Sequence, residues 1–214
     1  MINILLVDDH ELFRAGMRSI LEHHADMAVI GEADSGEAAV DFVRKTPPDV
    51  VMMDVNMPGI GGMEATRKIA RINDAVKVIA VTVLSDDPFP AQLLEAGAKA
   101  YISKGCPAEE MFEAIKSVVM GKPYISNDVA RKLTLAKLTG GGDTSPIEKL
   151  SGREMQVMMM ITQGQSTQAI SDALFLSPKT VSTYRHRLYE KLDVTNDVEL
   201  THFAIRHGLI EKSQ

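Results

Sequence analysis

Two apolar runs near the N-terminus end in acidic residues. Asp8 and Asp9 follow the run at residues 2–7, and Asp54 follows the run at residues 50–53. Apolar runs of this length, bounded by polar residues, are typical of buried parallel strands. Carboxylates at the ends of two such strands can bind a cation or attack an electrophilic phosphorus atom.

Two further polar residues occupy the same kind of position. Thr82 lies near the end of the apolar run at residues 76–83, and Lys104 follows the short run at residues 100–103. Phosphoryl transfer needs a nucleophile, a metal ion and positive charge on the phosphoryl oxygens, because its barrier is mainly one of charge and positioning. We therefore predict that Asp54 is the phosphoacceptor, that Lys104 pairs with the phosphoryl oxygens and that Thr82 donates a hydrogen bond to one of them.

The acidic residues also predict a metal site. The predicted ligands are Asp9, Asp54, the backbone carbonyl of Asn56 and, through a water molecule, Asp8. A hard cation that keeps several of its waters suits such a set of oxygens, which indicates Mg²⁺. No side chain is placed as a general base, and an ionised carboxylate needs none to attack.

The first half of the chain alternates short apolar runs with longer amphipathic ones. Predicted strands are residues 2–7, 27–31, 50–53, 76–83 and 100–102, and predicted helices are residues 12–21, 36–44, 62–72, 90–96 and 108–120. This alternation is typical of a parallel sheet covered by helices on both faces. We predict an α/β, flavodoxin-like (βα)5 domain over residues 1–122, in which the carboxyl ends of the strands bring the polar residues together.

A polar, glycine-rich stretch at residues 139–146 separates this half from the rest. We predict a linker at residues 123–145, which includes helical spacing at 128–138, because glycines and polar residues interrupt the periodic pattern. Predicted helices beyond it are residues 151–163, 167–174, 178–192 and 197–207, with start signals at Ser151, Ser177 and Asn196. Residues 146–211 are thus predicted to form a small all-α domain.

Residues 167–186 have the pattern of a helix, a tight turn and a second helix. Such a second helix fits the major groove of DNA, where polar side chains read bases and cations contact phosphates. The predicted DNA-contacting residues are Lys179, Thr180, Ser182, Thr183, Arg185, His186, Arg187 and Lys191. On charge alone, a solvated basic helix face explains the cations equally well.

Charge and composition narrow the class of protein. Residues 1–126 carry 12 Lys and Arg against 19 Asp and Glu, a net charge of −7, whereas residues 146–214 carry eight of each. The positive charge that a phosphate backbone needs is concentrated at residues 179–191. A single cysteine, Cys106, excludes an internal disulfide and a cysteine-based zinc site. With no run of roughly 18 apolar residues and no secretory signal, we expect a cytoplasmic protein without a membrane partner.

Four motifs carry a family resemblance: Leu6-Val-Asp-Asp-His10, Met53-Asp-Val-Asn-Met-Pro-Gly59, Val81-Thr82 and Ser103-Lys104. Over residues 1–122, the chain resembles the receiver domain of two-component response regulators. The resemblance implies phosphorylation of Asp54 by a partner histidine kinase. It also implies a switch in which Thr82 and Tyr101 move together and Tyr101 turns inward. The only enzymatic chemistry expected of such a domain is Mg²⁺-dependent self-phosphorylation and slow self-dephosphorylation.

The C-terminal half resembles the LuxR-type module of NarL/FixJ regulators. The motifs are Leu150-Ser-Gly-Arg-Glu154, Ile170-Ser-Asp-Ala-Leu174, Leu176-Ser-Pro-Lys-Thr-Val181 and Tyr189-Glu-Lys-Leu192. Within that family the whole chain is most similar to the GacA/UvrY-type global regulators. The resemblance implies a kinase of the BarA/GacS kind, promoters of small regulatory RNA genes as targets and RNA polymerase as a partner. It also implies a homodimer on DNA, with Val198, Phe203 and Ile205 of the last helix as candidate contacts.

The main hypothesis is a transcription factor that phosphorylation at Asp54 controls. One alternative is an aspartate-nucleophile phosphohydrolase, but such enzymes place a second acid two residues after the nucleophile, where this chain has Asn56. Another alternative is a protein-interaction module whose C-terminal helices bind RNA polymerase and not DNA. A promoter-fragment shift assay without polymerase separates DNA binding from polymerase binding.

Overall fold

The computed structural model describes residues 1–82, 90–126, 130, 146–207 and 209–210. The first of its two compact units is built on a parallel sheet of six strands. The strands are β1 (Ile2–Val7), β2 (Met27–Ala33), β3 (Val50–Asp54), β4 (Lys77–Thr82), β5 (Ala100–Ser103) and β6 (Tyr124–Ile125). Their order is β2-β1-β3-β4-β5-β6, and each pair of neighbours is parallel. The predicted α/β, flavodoxin-like architecture is confirmed.

Five helices alternate with the strands. They are α1 (Glu11–Glu22), α2 (Gly36–Lys45), α3 (Gly61–Ile72), α4 (Pro90–Ala96) and α5 (Ala108–Val119). One apolar cluster joins strand residues such as Met52 to Leu21 of α1 and Ile115 of α5. All five residues of β3 are buried, which explains why its sequence is a continuous apolar run and not an alternating one. The strand ends therefore project from a packed core.

The sixth strand was not predicted. Tyr124 and Ile125 pair with Ala100 and Tyr101 of β5, so the sheet continues into the segment that the sequence analysis assigned to the linker. Two residues are too short to show the alternation that identifies a strand. The boundaries at residues 122 and 146 stay predictions, and most of the predicted linker, including its helical spacing at 128–138 apart from residue 130, lies outside the described residues.

The second compact unit is all helical where it is described past residue 145. A 3-10 turn (Pro146–Lys149) precedes α6 (Gly152–Thr162), α7 (Thr167–Leu174), α8 (Pro178–Leu192) and α9 (Asp197–Arg206). These four helices confirm the predicted small all-α domain. Within the described residues, no helix is both long enough and apolar enough to cross a membrane.

Side-chain caps define the starts of all four C-terminal helices. Ser151 and Glu154 form a reciprocal capping box at α6, and the side chains of Ser166, Ser177 and Asn196 each accept a backbone N–H in the first turn of the next helices. Satisfying these N–H groups stabilises a helix start by about 1 kcal/mol per cap. Short helices separated by tight turns thus obtain fixed end points from the sequence.

Candidate functional site

The acidic residues predicted at the strand ends lie together. One ligand atom each from Asp8, Asp9, His10 and Asp54 lies within 4.8 Å of the others. Asp8 and Asp54 are almost completely buried, whereas Asp9 and His10 face solvent. The parallel register explains this arrangement, because β1 and β3 are neighbours and Val7 pairs with Met53 immediately before both acids.

Lys104 bridges two of these carboxylates. Its Nζ lies 2.6 Å from Asp8 Oδ2 and 3.1 Å from Asp54 Oδ2. The Phe13 ring lies under the ammonium, with its centroid 4.7 Å from Nζ, a geometry in which the ring face attracts a cation. The lysine backbone is fixed as well, since its N–H donates to the Thr82 carbonyl over 2.6 Å. A cation is therefore held beside the predicted phosphoacceptor.

Burial and charge act in opposite directions on this pair. Burial raises the pKa of the Asp54 carboxyl and the Asp8 charge adds to the rise, while Lys104 and the backbone N–H of Asn56 only partly offset it. Burial alone would lower the pKa of the Lys104 ammonium, but the hydrogen bond with Asp8 and the charge of Asp54 outweigh it, so that pKa rises. The lysine thus stays charged beside a carboxylate whose ionised form is disfavoured.

The loop after β3 is shaped around the Asp54 backbone. A Cβ atom placed on Gly62 would lie 1.8 Å from the Asp54 carbonyl oxygen, so only glycine fits there. Gly62 N donates to the Val55 carbonyl over 3.2 Å, and Ile60 N donates to Glu37 Oε1 of α2 over 3.0 Å. Helix α3 therefore begins in direct contact with the Asp54 segment, and Glu37 of α2 binds the loop through the Ile60 N–H.

The predicted switch residues are both buried. Thr82 ends β4 and is 0% exposed, and the Tyr101 side chain on β5 is 1% exposed. Tyr101 pairs in register with Ala80, two residues before Thr82, on the neighbouring strand. The tyrosine therefore occupies the inward position that the resemblance associates with the switched receiver, and the coupled movement of the two residues stays a prediction.

The donor atoms of the acidic pocket fit a divalent cation. Asp8, Asp9 and Asp54 offer carboxylate oxygens close enough together to contact a single ion. Asn56 lies two residues after the end of β3, and its N–H donates to Asp54 Oδ1 over 3.2 Å, which places its backbone beside the same carboxylate. Hard oxygen donors of this kind suit Mg²⁺. The ligand role of the Asn56 carbonyl stays a prediction.

Sequence reasoning missed several residues that support the pocket. Phe13 lies on α1 and was given no role in the pocket, yet its ring contacts the Lys104 ammonium. Arg14 Nη1 donates to the Asp8 carbonyl over 2.6 Å, and its Nε pairs with Glu32 at 3.2 Å. Their position one to two helical turns after Asp8 and Asp9 was the only sequence signal for a role in the pocket. The contacts themselves depend on how α1 packs in the folded domain, which the sequence of α1 does not reveal.

Most of the predicted DNA-contacting residues lie on the exposed side of α8. Lys179, Ser182, Thr183, His186 and Arg187 are exposed, and Thr180 is half-buried. The buried residues of the helix are Val181, Leu188 and Leu192, whose spacing of seven and four defines the opposite, core-facing stripe. The polar stripe is thus available to a groove, and its role in binding DNA stays a prediction.

Two of the predicted cations are engaged within the domain. Lys191 Nζ lies 2.7 Å from the buried Glu154 Oε2 and donates to the Lys149 carbonyl over 3.1 Å. Arg185 Nε lies 3.5 Å from Asp197 Oδ1 of α9, an oxygen that also accepts a 2.6 Å hydrogen bond from the Tyr189 hydroxyl. Both pairs needed the packing of other helices against α8, so the helix sequence alone did not reveal them.

Family comparisons agree with the two units. The model of the response regulator receiver domain matches residues 4–116, which defines the class of the N-terminal unit. The model of the luxR family of bacterial regulatory proteins matches residues 148–204. The chain belongs to the two-component response regulators that join a receiver domain to a LuxR-type DNA-binding domain. This membership excludes the phosphohydrolase alternative, because receiver phosphochemistry is the only catalysis of the family.

Two similar proteins align along nearly the whole chain. Response regulator UvrY of Escherichia coli K12 is 53% identical over 209 residues, which covers 98% of this chain and 96% of UvrY. Response regulator GacA of Pseudomonas aeruginosa PAO1 is 48% identical over 211 residues, which covers 99% of each chain. The chain is therefore UvrY/GacA-like in both domains, as the resemblance implied.

Solved structures of similar architecture include DNA-bound regulators. RcsB of Salmonella enterica serovar Typhimurium, bound to promoter P1flhDC in the presence of the phosphomimetic BeF3⁻, is 25% identical with a TM-score of 0.74. The match covers 94% of this chain and 97% of RcsB. Response regulator ChrA of a heme-sensing two-component system is 30% identical with a TM-score of 0.55, and the match covers 98% of each chain.

Proposed function

We propose that the chain is a transcription factor whose DNA binding is controlled by phosphorylation of Asp54. The observation that carries this proposal is the Asp54 carboxylate itself. It is buried at the end of β3, 3.1 Å from the Lys104 ammonium and beside two further carboxylates. No structural role needs three acids and one lysine at adjoining strand ends, whereas phosphoryl transfer uses each of them.

The phosphoryl step uses groups that are already in position. An Asp54 carboxylate oxygen attacks the phosphorus of a phosphohistidine on the kinase, the P–N bond breaks, and the imidazole nitrogen leaves with the bonding electrons and takes up a proton. Lys104 then exchanges its pairing with Asp54 for one with a phosphoryl oxygen, and Thr82 donates a hydrogen bond to another. Asp9, Asp54 and the Asn56 carbonyl, with Asp8 acting through water, would hold Mg²⁺, which would supply positive charge to the phosphoryl oxygens.

The phosphorylated pocket is linked to output through Thr82 and Tyr101. A hydrogen bond from Thr82 to the phosphoryl group fixes the end of β4, and the buried Tyr101 lies on the neighbouring strand β5, in register with Ala80. In a two-state receiver of this kind, phosphorylation increases the population of a DNA-binding form that already exists, and it does not create a new fold. The expected output is sequence-specific binding of promoter DNA.

The recognition surface is the exposed stripe of α8. Ser182, Thr183 and His186 reach base edges, and Lys179 and Arg187 contact phosphates on either side, with Thr180 near the helix start. Arg185 and Lys191 join them only if they leave Asp197 and Glu154, so their contribution is the smaller one. A homodimer on DNA is supported by Val198 of α9, which is 66% exposed, whereas Phe203 is buried in the domain core.

Partners are inferred from the similar proteins. Identity of about 50% to UvrY and GacA along the whole chain supports a kinase of the BarA/GacS kind, promoters of small regulatory RNA genes as targets, and RNA polymerase as the recruited enzyme. The promoter-bound RcsB structure supports DNA binding through this fold. The chain must reach both its DNA target and the kinase that donates the phosphoryl group, and we infer from this that it acts in the cytoplasm.

Intact-mass spectrometry tests the receiver chemistry. The full chain is incubated with Mg²⁺ and acetyl phosphate beside Asp54→Ala and a matched control, Asp49→Ala, whose carboxylate accepts the Asn3 N–H at the other end of the sheet. We expect one phosphoryl group on the wild type and on Asp49→Ala and none on Asp54→Ala. Equal incorporation into Asp54→Ala would exclude Asp54 as the acceptor.

An electrophoretic shift assay without RNA polymerase tests the DNA surface. The probe is a duplex selected from a random pool by the phosphorylated full chain. We expect Lys179→Ala and Arg187→Ala to weaken binding and each to lower the salt slope by roughly 0.9, the value for one lost phosphate contact. Lys149→Ala is the matched control, and its slope should stay near that of the wild type because this exposed lysine lies in the 3-10 turn outside α8. A change confined to Lys149→Ala would contradict the proposed surface.

A further inference from the structure

His10 has an arrangement that capping of α1 does not explain. It is the N-cap residue of α1, but its side chain makes no capping hydrogen bond. Instead, His10 Nδ1 lies 2.9 Å from Asp9 Oδ1 and 3.2 Å from Asp8 Oδ1. The His10 backbone N–H also donates to Asp8 Oδ1 over 2.9 Å, which fixes the residue relative to the pocket. The imidazole is thus directed at the acids.

The imidazole adds a donor of a different chemical type to the pocket. One ring nitrogen of His10 and one oxygen each of Asp8, Asp9 and Asp54 lie within 4.8 Å of one another. Two ligands that are each about 2.1 Å from an ion lie at most about 4.2 Å apart, so small side-chain shifts bring all four to one ion. The His10 side chain is 69% exposed, so an ion from solvent can reach its nitrogen.

Metal preference follows from donor type. Mg²⁺ is bound by oxygens and keeps several waters, and it gains little from an imidazole. First-row transition ions such as Mn²⁺, Co²⁺ and Zn²⁺ bind mixed nitrogen and oxygen sites well, and their affinity for a given site generally exceeds that of hard cations. An imidazole nitrogen within the carboxylate cluster therefore changes which ions the pocket prefers.

We propose that His10 makes the phosphorylation pocket a mixed nitrogen and oxygen site that binds first-row transition ions in competition with Mg²⁺. The inference rests on the proposed function, since Asp9 and Asp54 serve both kinds of ion. A transition ion bound by His10 and the carboxylates occupies the position of Mg²⁺ with one more protein ligand and one fewer water. His10 is then the residue that sets the metal preference of the pocket.

A competing explanation is that His10 only pairs electrostatically with the two acids. In that case the ring neutralises charge and makes no bond to an ion. The two explanations differ in one observable, which is direct coordination of a bound ion by the imidazole nitrogen. They also differ in whether removal of His10 acts on transition ions and Mg²⁺ to different extents.

The first experiment measures Co²⁺ and Mg²⁺ dissociation constants for the unphosphorylated full chain by isothermal titration. Variants are His10→Ala and the matched control His23→Ala, a histidine at the far end of α1 whose Nδ1 contacts the Ser19 carbonyl. Loss of even an outer-shell metal partner costs about 10- to 100-fold in affinity. We expect the preference for Co²⁺ over Mg²⁺ to fall at least about tenfold in His10→Ala and to be retained in His23→Ala.

The second experiment identifies the ligand. Mn²⁺ bound to the wild type should show pulsed electron paramagnetic resonance modulation from a coordinated imidazole nitrogen, and excess Mg²⁺ should remove the signal. His10→Ala should bind Mn²⁺ without that modulation. An unchanged Co²⁺ preference in His10→Ala, or nitrogen modulation that Mg²⁺ does not displace, overturns the role of His10. Failure of Mg²⁺ itself to bind the wild type would instead contradict the metal site of the proposed function.

Discussion

Two lysine–carboxylate pairs in this chain have opposite electrostatic consequences. In the receiver, Lys104 pairs with Asp54, yet burial still raises the pKa of that carboxyl. In the DNA-binding domain, Lys191 pairs with Glu154. Burial would raise that pKa, but hydrogen bonds from Lys191 and from the Ser151 backbone and hydroxyl lower it. The first pair holds an anion that the protein does not fully stabilise, and the second stabilises its anion.

The difference teaches how each carboxylate is used. Glu154 Oε2 accepts the Ser151 N–H in a capping box and the Lys191 ammonium of a neighbouring helix, and these contacts outweigh the effect of burial on its pKa. Asp54 shares its lysine with Asp8 and receives one backbone N–H, and these contacts do not outweigh burial. A carboxylate whose contacts outweigh its burial gains little from a further cation, whereas one whose burial is not offset gains more from a bound metal ion.

The largest expected effect concerns Gly62, which lies against the backbone of Asp54. Gly62→Ala places a Cβ 1.8 Å from the Asp54 carbonyl oxygen, and the atoms it meets are all backbone atoms of Asp54 and Val55, which cannot move aside as a side chain can. We expect a loss of unfolding free energy of about 3 kcal/mol or more, as in severe overpacking. Urea unfolding followed by circular dichroism measures it. Gly16→Ala is the control, because nothing lies within 4 Å of its Cβ and the change removes a glycine from α1, so stability should rise by about 0.5–1 kcal/mol.

The second prediction removes the charge of the satisfied carboxylate. Glu154→Gln keeps the shape but loses charge-assisted hydrogen bonds to Ser151 and Lys191, and we expect about 1–2 kcal/mol of destabilisation near pH 7. The folded-state pKa of Glu154 is below its ordinary value of 4.5, so this stabilisation is present above that pH and is lost as pH falls through the lowered pKa. Urea unfolding midpoints of the wild type and of Glu154→Gln, measured from pH 7 downward, should approach each other as the Glu154 carboxylate becomes protonated.

The third prediction makes the same chemical change at Asp54 and expects the opposite sign. Asp54→Asn should stabilise the receiver near pH 7, on the order of 1 kcal/mol, because it removes an anion whose burial outweighs its contacts with Lys104 and the Asn56 N–H. The folded-state pKa of Asp54 is above its ordinary value of 3.8, so the cost appears as pH rises past that value and is complete above the raised pKa. The gain should therefore disappear toward acidic pH. Destabilisation of this variant near neutral pH would remove the contrast with Glu154.

The smallest expected effect concerns the start of α8. Ser177 Oγ accepts the Thr180 N–H over 3.1 Å, and Ser177→Ala should lower the unfolding free energy by about 0.5–1 kcal/mol through loss of that cap. Ser182→Ala is the control, because its exposed hydroxyl donates back to the Pro178 carbonyl and alanine favours helix. Thermal unfolding followed by circular dichroism compares them. An equal loss in both variants would mean that the cap does not fix the helix start.

The receiver pocket was predictable because topology alone brings its members together. Consecutive parallel strands end at one edge of a sheet, so apolar runs followed by Asp8, Asp54, Thr82 and Lys104 sufficed to predict the cluster. Two serines and an asparagine likewise predicted the starts of three C-terminal helices. In each case the signal lies within a few residues of the feature it describes.

The missed features depend on contacts between distant segments. The pairing of Lys191 with Glu154 joins residues 37 positions apart, and that of Arg185 with Asp197 depends on how α9 packs against α8. Charge patterning along one helix therefore assigned both cations to DNA. The left-handed backbone of Phe175, at φ 53°, was equally invisible, because glycine or asparagine is the usual signal for such a helix end.

The short sixth strand has a consequence for local motion. Because β6 covers only Ala100 and Tyr101, the last residues of β5, Ile102 and Ser103, have a hydrogen-bonded strand neighbour on one side alone within the described sheet. Edge segments open at a lower free energy than central strands, so amide hydrogens there exchange with solvent without global unfolding. We therefore expect the end of β5, next to Lys104, to open at a lower free energy than β1 and β3.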